Sequence, residues 1–127
     1  MADAPAFAVT PRISSVSVAT ADTSWTAPTN VGTLITGAAT GTRIAEIVVK
    51  SVQASAAALI RIFLHDGTTY YLFDEITISA ATGSATVQQS RVSNSYANLI
   101  LPSASWSLRV TTTISQATVV TALAADL

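Results

Sequence analysis

The sequence predicts an all-β fold, an antiparallel β-sandwich of jelly-roll or Greek-key type with about eight strands. Three observations predict it. Half of the 127 residues are hydrophobic, yet only 6% are aromatic and 10% charged, so alanine, valine, isoleucine and threonine dominate, and the β-branched ones suit a pleated, half-buried strand. Lys, Glu and Leu, which favour helices, are scarce. Short apolar runs recur between turn residues, the spacing of a sandwich or barrel. A chain of this length buries roughly two-thirds of its unfolded surface and folds as one domain without staples.

Residues 1–12 read as an extended N-terminal arm, because Pro5 and Pro11 each turn the preceding residue away from αR. Phe7 and Val9 stand isolated in that arm, which either lies on a surface or is a frayed terminus. Residues 13–127 read as a single β-sandwich domain. Strands are expected over 13–19 and 31–36, separated by the segment around Trp25 and Pro28. Residues 43–53 form a nearly continuous apolar run through Ile44, Ile47, Val48, Val49 and Val52, as in a central strand or at a bulge. The Ala-rich stretch 51–58 is too short for a helix and is expected to be a loop.

The strongest local signal is Asp66-Gly67 between the apolar runs 59–64 and 70–76. Gly accepts positive φ and Asp tolerates it, so these runs predict a β-hairpin. A two-residue loop opposes Arg61 to Leu72; a four-residue loop opposes Arg61 to Asp74 and is preferred for the charge pair it makes. Either register sets Ile60, Ile62 and Leu64 on one face with Tyr71 and Phe73, the expected core face. Beyond it, 85–92 alternates weakly, 98–101 is short and apolar, and 102–105 reads as a turn. Trp106, Leu108, Val110 and Ile114 alternate with polar residues, which predicts a strand with one wet face. A last strand is expected over 118–123.

A net charge of −1, from six Lys and Arg against seven Asp and Glu, offers no field for phosphate backbones or anionic lipid. Neither nucleic acid nor membrane is an expected partner. So little charge, over a Ser/Thr/Ala surface, favours assembly with itself or another protein. Without cysteine there is no disulfide, thiol nucleophile or thiolate metal site, and cytoplasmic synthesis is expected. Asp3 and the lack of Lys or Arg before Arg12 argue against a secretory leader. No apolar run approaches the ~20 residues of a membrane span, so a soluble chain is expected.

His65 is the sole histidine and sits beside the Asp66-Gly67 turn, where a polar turn residue is the expectation. Asp74 and Glu75 are neighbours on a strand and point to opposite faces, so they cannot share a proton or metal; a strand end turning toward solvent accounts for them. Asp22, Asp66 and Asp126 follow no calcium-loop pattern, and the five glycines form no phosphate loop. No catalytic, cofactor-binding or metal-binding residue is assigned, and no cofactor is expected. Trp106 falls in the core phase. Trp25, between Ser24 and Thr26, is the aromatic left for a ligand or partner.

Four stretches, Asn30-Val31-Gly32-Thr33-Leu34-Ile35-Thr36-Gly37, Gly41-Thr42-Arg43-Ile44, Ile62-Phe63-Leu64-His65-Asp66-Gly67-Thr68-Thr69-Tyr70 and Leu99-Ile100-Leu101-Pro102, together resemble a group of small virion proteins of tailed bacteriophages. The resemblance covers most of the chain after about Thr29; its motifs are turn and hairpin chemistry and transfer no site residues. It implies a virion component made in the bacterial host cytoplasm. The specific role implied is a decoration, or cement, protein on the capsid surface, bound to the major capsid protein and stabilising the head. A homo-oligomer at a symmetry axis is implied with it, a trimer favoured. Phe7, Val9, Pro11 and Trp25 are the expected contacts. The alternatives are a host- or carbohydrate-binding module on a tail or fibre, with Trp25 as stacking platform, and a minor head or tail completion protein. An enzyme is the reading with least support.

Overall fold

A computed structural model of the chain describes residues 10–127. Eight strands follow in order: β1 (Thr10–Val18), β2 (Gly32–Thr36), β3 (Thr42–Ser51), β4 (Ala58–His65), β5 (Tyr70–Ile78), β6 (Arg91–Leu101), β7 (Ser107–Thr112) and β8 (Thr118–Asp126). Their antiparallel pairs are nested, β4 with β5, β2 with β7, β3 with β6 and β1 with β8. The chain is thus one folded-back ribbon whose tip is the Asp66-Gly67 turn. Successive pairs of the ribbon alternate between two sheets, ordered β1-β8-β3-β6 and β2-β7-β4-β5. That nesting is the jelly roll.

Between the sheets, alternate residues interdigitate. Ile44, Ile47 and Val49 of β3 and Val120 of β8 lie in one cluster with Ile60 and Ile62 of β4, Ile76 of β5 and Val110 of β7, all buried. Each such side chain contributes about 1.5–3 kcal/mol by leaving water, and their β-branched shape holds one rotamer on a pleated surface. The expectation for β3 holds on both counts: it lies between β8 and β6, and its register slips between Ile44 and Glu46 against both.

The hairpin forms with the four-residue loop, His65 opposite Tyr70. Gly67 has φ +106°, a left-handed conformation, and Asp66 accepts from the Thr68 and Thr69 N–H groups at 3.0 and 2.8 Å. Two details of the expected register change. A bulge between Ile62 and Phe63 adds one residue to β5, so Arg61 faces Glu75 in place of Asp74, with Nε to Oε2 at 3.1 Å. The expected core face also loses its β5 members. Ile60 and Ile62 are fully buried, but Tyr71 is 49% and Phe73 40% exposed, because β5 is the outermost strand of its sheet and the bulge takes Phe73 out of the inward row. The large buried side chain of this hairpin is Phe63, on the opposite face.

Five other expectations are corrected, and one holds. The weak strand at 85–92 and the short one at 98–101 are replaced by the single long β6; its inward row holds polar Asn94 and changes phase between Tyr96 and Leu99, which hides the period. The wet face of β7 is covered, since Ser107 and Thr111 are buried on a strand held between β2 and β4. The expectation that holds is Trp106, which packs, partly buried, against the core from just before β7. His65 is a strand residue, 7% exposed. Asp74 and Glu75 do diverge as expected, but within β5 and each engaged, not at a strand end. At the start of the chain β1 begins at Thr10, so residues 10–12 belong to the sandwich; Phe7 and Val9 lie outside the described residues.

Candidate functional site

The outward face of the β2-β7-β4-β5 sheet carries most of the unusual chemistry. Its central row on β4 is Arg61, Phe63 and His65, opposed on β7 by Thr111, Arg109 and Ser107 and on β5 by Glu75, Leu72 and Tyr70. Phe63 is fully buried and meets the edge of Tyr70 with ring centroids 5.9 Å apart. Arg109 lies 5.8 Å over the Tyr70 ring and donates from Nη1 to its hydroxyl at 3.3 Å. His65 packs on Tyr70 with ring centroids 4.4 Å apart and the planes inclined at 50°, and its Nδ1 accepts the Gly67 N–H at 3.2 Å. That bond leaves the ring neutral with its proton on Nε2. Burial first, then the Arg109 charge, hold the imidazole below its ordinary pKa. His65 therefore braces the hairpin, and Ser107, opposite it on β7, has its hydroxyl accepting from Arg109 Nε at 3.2 Å.

Across this face runs the 19–31 loop. Asp22 donates its N–H to the Thr112 carbonyl at 2.8 Å, which pins the loop to β7. The Asp22 carboxylate then accepts from the N–H groups of Ser24, Thr29 and Asn30 at 3.0, 2.7 and 2.9 Å. These bonds, from Asn30 first, hold its pKa below the usual carboxylate range. Ser24 Oγ accepts the Ala27 N–H at 3.0 Å. A loop tied this closely gives its tip one conformation, and the tip is Trp25.

Trp25 is 62% exposed. The Arg61 guanidinium sits 5.2 Å from its ring centroid, itself almost fully buried, with Nη1 donating to the Thr23 carbonyl at 2.9 Å and Nε to Glu75. The indole is backed by a fixed cation and presents the rest of its surface to solvent. Exposing a large aromatic forfeits burial free energy, and Trp held this way is characteristic of contact surfaces.

Pro11 falls on β1 and is exposed, on the other sheet from Trp25, so the structure does not bring these two expected contacts together. A shallow depression of about 300 Å³ lies beside the loop, lined by Ser17, Ala19, Thr20, Thr29 and Asn30 among others; none of its lining residues is titratable. Among the described residues no three His, Cys, Asp or Glu side chains gather as a metal set.

Sequence reasoning singled out Trp25, which is exposed, and missed Arg61 as its support, Asp22 as the loop's organiser and Leu72 as an outward apolar residue, 40% exposed. The Asp-x-Ser spacing of Asp22 and Ser24 was the available signal for the loop, since such residues hydrogen-bond backbone two positions on. The chain matches no family model and no curated protein sequence.

Proposed function

We propose that this chain is a non-enzymatic structural protein of a tailed-phage virion, a decoration protein that docks on the major capsid protein at the outer capsid surface and stabilises the head. The observation that carries the docking is Trp25, exposed on a loop braced by Asp22 and backed by Arg61. The virion setting rests on the resemblance of the β2, β3, β4–β5 and β6 motifs. Jelly rolls recur in viral capsid and lectin domains, and a fold alone names neither role. The non-enzymatic part is supported by the engagement of His65 and the divergence of Asp74 and Glu75. Homo-oligomerisation as a trimer needs one heterologous contact that closes on itself.

Quantitative mass spectrometry of purified particles tests this reading. A copy number close to that of the major capsid protein is expected. A handful of copies per particle would mean a completion protein, and absence from particles would overturn the virion assignment. The lectin reading draws on the same Trp25, whose solvent-facing surface suits an apolar sugar face. Glycan binding by the isolated chain, abolished in Trp25→Ala, would favour it over decoration.

A further inference from the structure

We infer that β5 is an open docking strand that receives an extended, lysine- or arginine-bearing segment of a partner protein, extending the contact face that Trp25 begins. The inference rests on the docking reading above. Three observations point to it.

The first is an unpaired main chain. β5 has a neighbour on one side only, β4. Counting the antiparallel alternation from the bond between Asp66 N–H and the Thr69 carbonyl, 3.4 Å, the pair Leu64 and Tyr71 is hydrogen-bonded and the pair Phe63 and Leu72 is not. The N–H and C=O of Leu72 therefore face away from the sheet. On β2, the other edge of the same sheet, the Leu34 and Thr36 carbonyls accept from Ser14 Oγ at 2.6 Å and Arg12 Nη1 at 2.9 Å.

The second is the side chains on that stretch. Tyr71, Leu72 and Phe73 are consecutive and 49%, 40% and 40% exposed, where edge strands ordinarily carry lysine or proline. Leu72 shares the outward face with Arg61, two residues from Phe63 on β4, so the Trp25 platform and the bare edge are continuous.

The third is charge. Asp66 and Asp74 flank the apolar stretch and neither has a cationic partner among the described residues. Asp66, held near a pKa of about 2 by the Thr69 and Thr68 N–H groups, is ionised at neutral pH. Asp74 accepts from Tyr96 Oη at 2.7 Å and Asn94 Nδ2 at 3.2 Å, neutral donors that leave its charge uncompensated. A second copy of the chain would bring the same acids to the edge. A basic strand would compensate them, with main-chain bonds supplying affinity and the charges selecting the partner.

The experiment uses the isotopically labelled chain and two short peptides of alternating valine and threonine, one with lysine at each end and one with glutamate. The lysine peptide is expected to shift the Tyr70 and Leu72 amide signals saturably and to slow hydrogen exchange at Leu72. The glutamate peptide should bind about tenfold more weakly. Leu72→Lys should weaken the lysine peptide by about tenfold while the unfolding midpoint stays put; Leu72→Thr, which adds no charge, should weaken it less. Shifts confined to β1 or β2, equal affinity for both peptides, no shift with either, or a Leu72 amide already protected by self-association would each overturn the inference. Absence of the chain from phage particles would overturn the virion reading and leave the peptide result standing.

Discussion

Where β1 faces β2, Arg12 and Ser14 reach across and occupy the outward carbonyls of Thr36 and Leu34, and Arg12 also pairs with Asp126 at 3.0 Å. Where β6 faces β5, the sheets are clasped through Asp74, Tyr96 and Asn94, with Phe73 against the Tyr96 ring at 5.8 Å, and beside that clasp the outward main chain is unpaired and three large apolar side chains are left 40–49% exposed. Both flanks join the same two sheets, and both are stable arrangements. The first uses polar side chains of one sheet to satisfy the edge of the other, which removes a template for strand addition. The second satisfies the sheets' own contact and leaves the template in place. A flank finished in that way is equipped for a partner.

Mutations should separate the flanks by size of effect. Phe63 anchors the hairpin that forms the open flank, so Phe63→Ala should cost about 3–5 kcal/mol in urea-unfolding free energy, the largest loss of the set. On the closed flank, Arg12→Ala combined with Ser14→Ala should cost about 1–2 kcal/mol. That double variant also bares the β2 carbonyls, and sedimentation should reveal association beyond the parent chain's own oligomeric state at the same concentration. If its sedimentation matches the parent's, the protective role assigned to Arg12 and Ser14 is wrong.

Acid should act mainly through four groups, one of them Asp66, lowered to about 2 by the Thr69 and Thr68 N–H groups. Asp126 is held below the usual carboxylate range, chiefly by the Thr42 hydroxyl and then by Arg12, and Asp22 by its backbone donors. Their folded pKa values are depressed, so their stabilisation is present above the unfolded carboxylate pKa of about 4 and is lost as pH falls through the folded values. His65 is depressed too; its contribution is present above its unfolded pKa of about 6.5 and is lost as pH falls through the folded one. Urea midpoints should be flat near neutrality, decline below about pH 6.5 and fall further below about pH 4. Asp126→Asn should flatten the lower limb, and an unchanged lower limb would contradict the account. The smallest effect on stability belongs to Trp25→Ala, less than about 1 kcal/mol, measured by thermal unfolding. A loss of several kcal/mol there would make Trp25 a structural residue and remove the reason for calling it a contact.

Much of the fold was legible because its signals are local. Asp66-Gly67 named the hairpin, and the β3 run named a central strand with a bulge. The β6 strand was illegible because its inward row carries polar Asn94 and changes phase between Tyr96 and Leu99. The strand order, which makes the ribbon a jelly roll, depends on long-range pairings such as Thr10 with Asp126 that no local pattern encodes. The site divides the same way. Trp25 could be singled out by elimination, whereas Arg61 beneath it comes from a distant strand, and Tyr71 and Phe73 read as core because the sequence does not say that β5 is an edge.

A cryo-EM reconstruction of the particle that carries the chain tests the central claim most directly. The account predicts Trp25 and the Leu72 edge of β5 covered by a neighbouring protein, with the flank between β1 and β2 facing solvent. A chain seated through that β1 and β2 flank, with Trp25 in solvent, would contradict it.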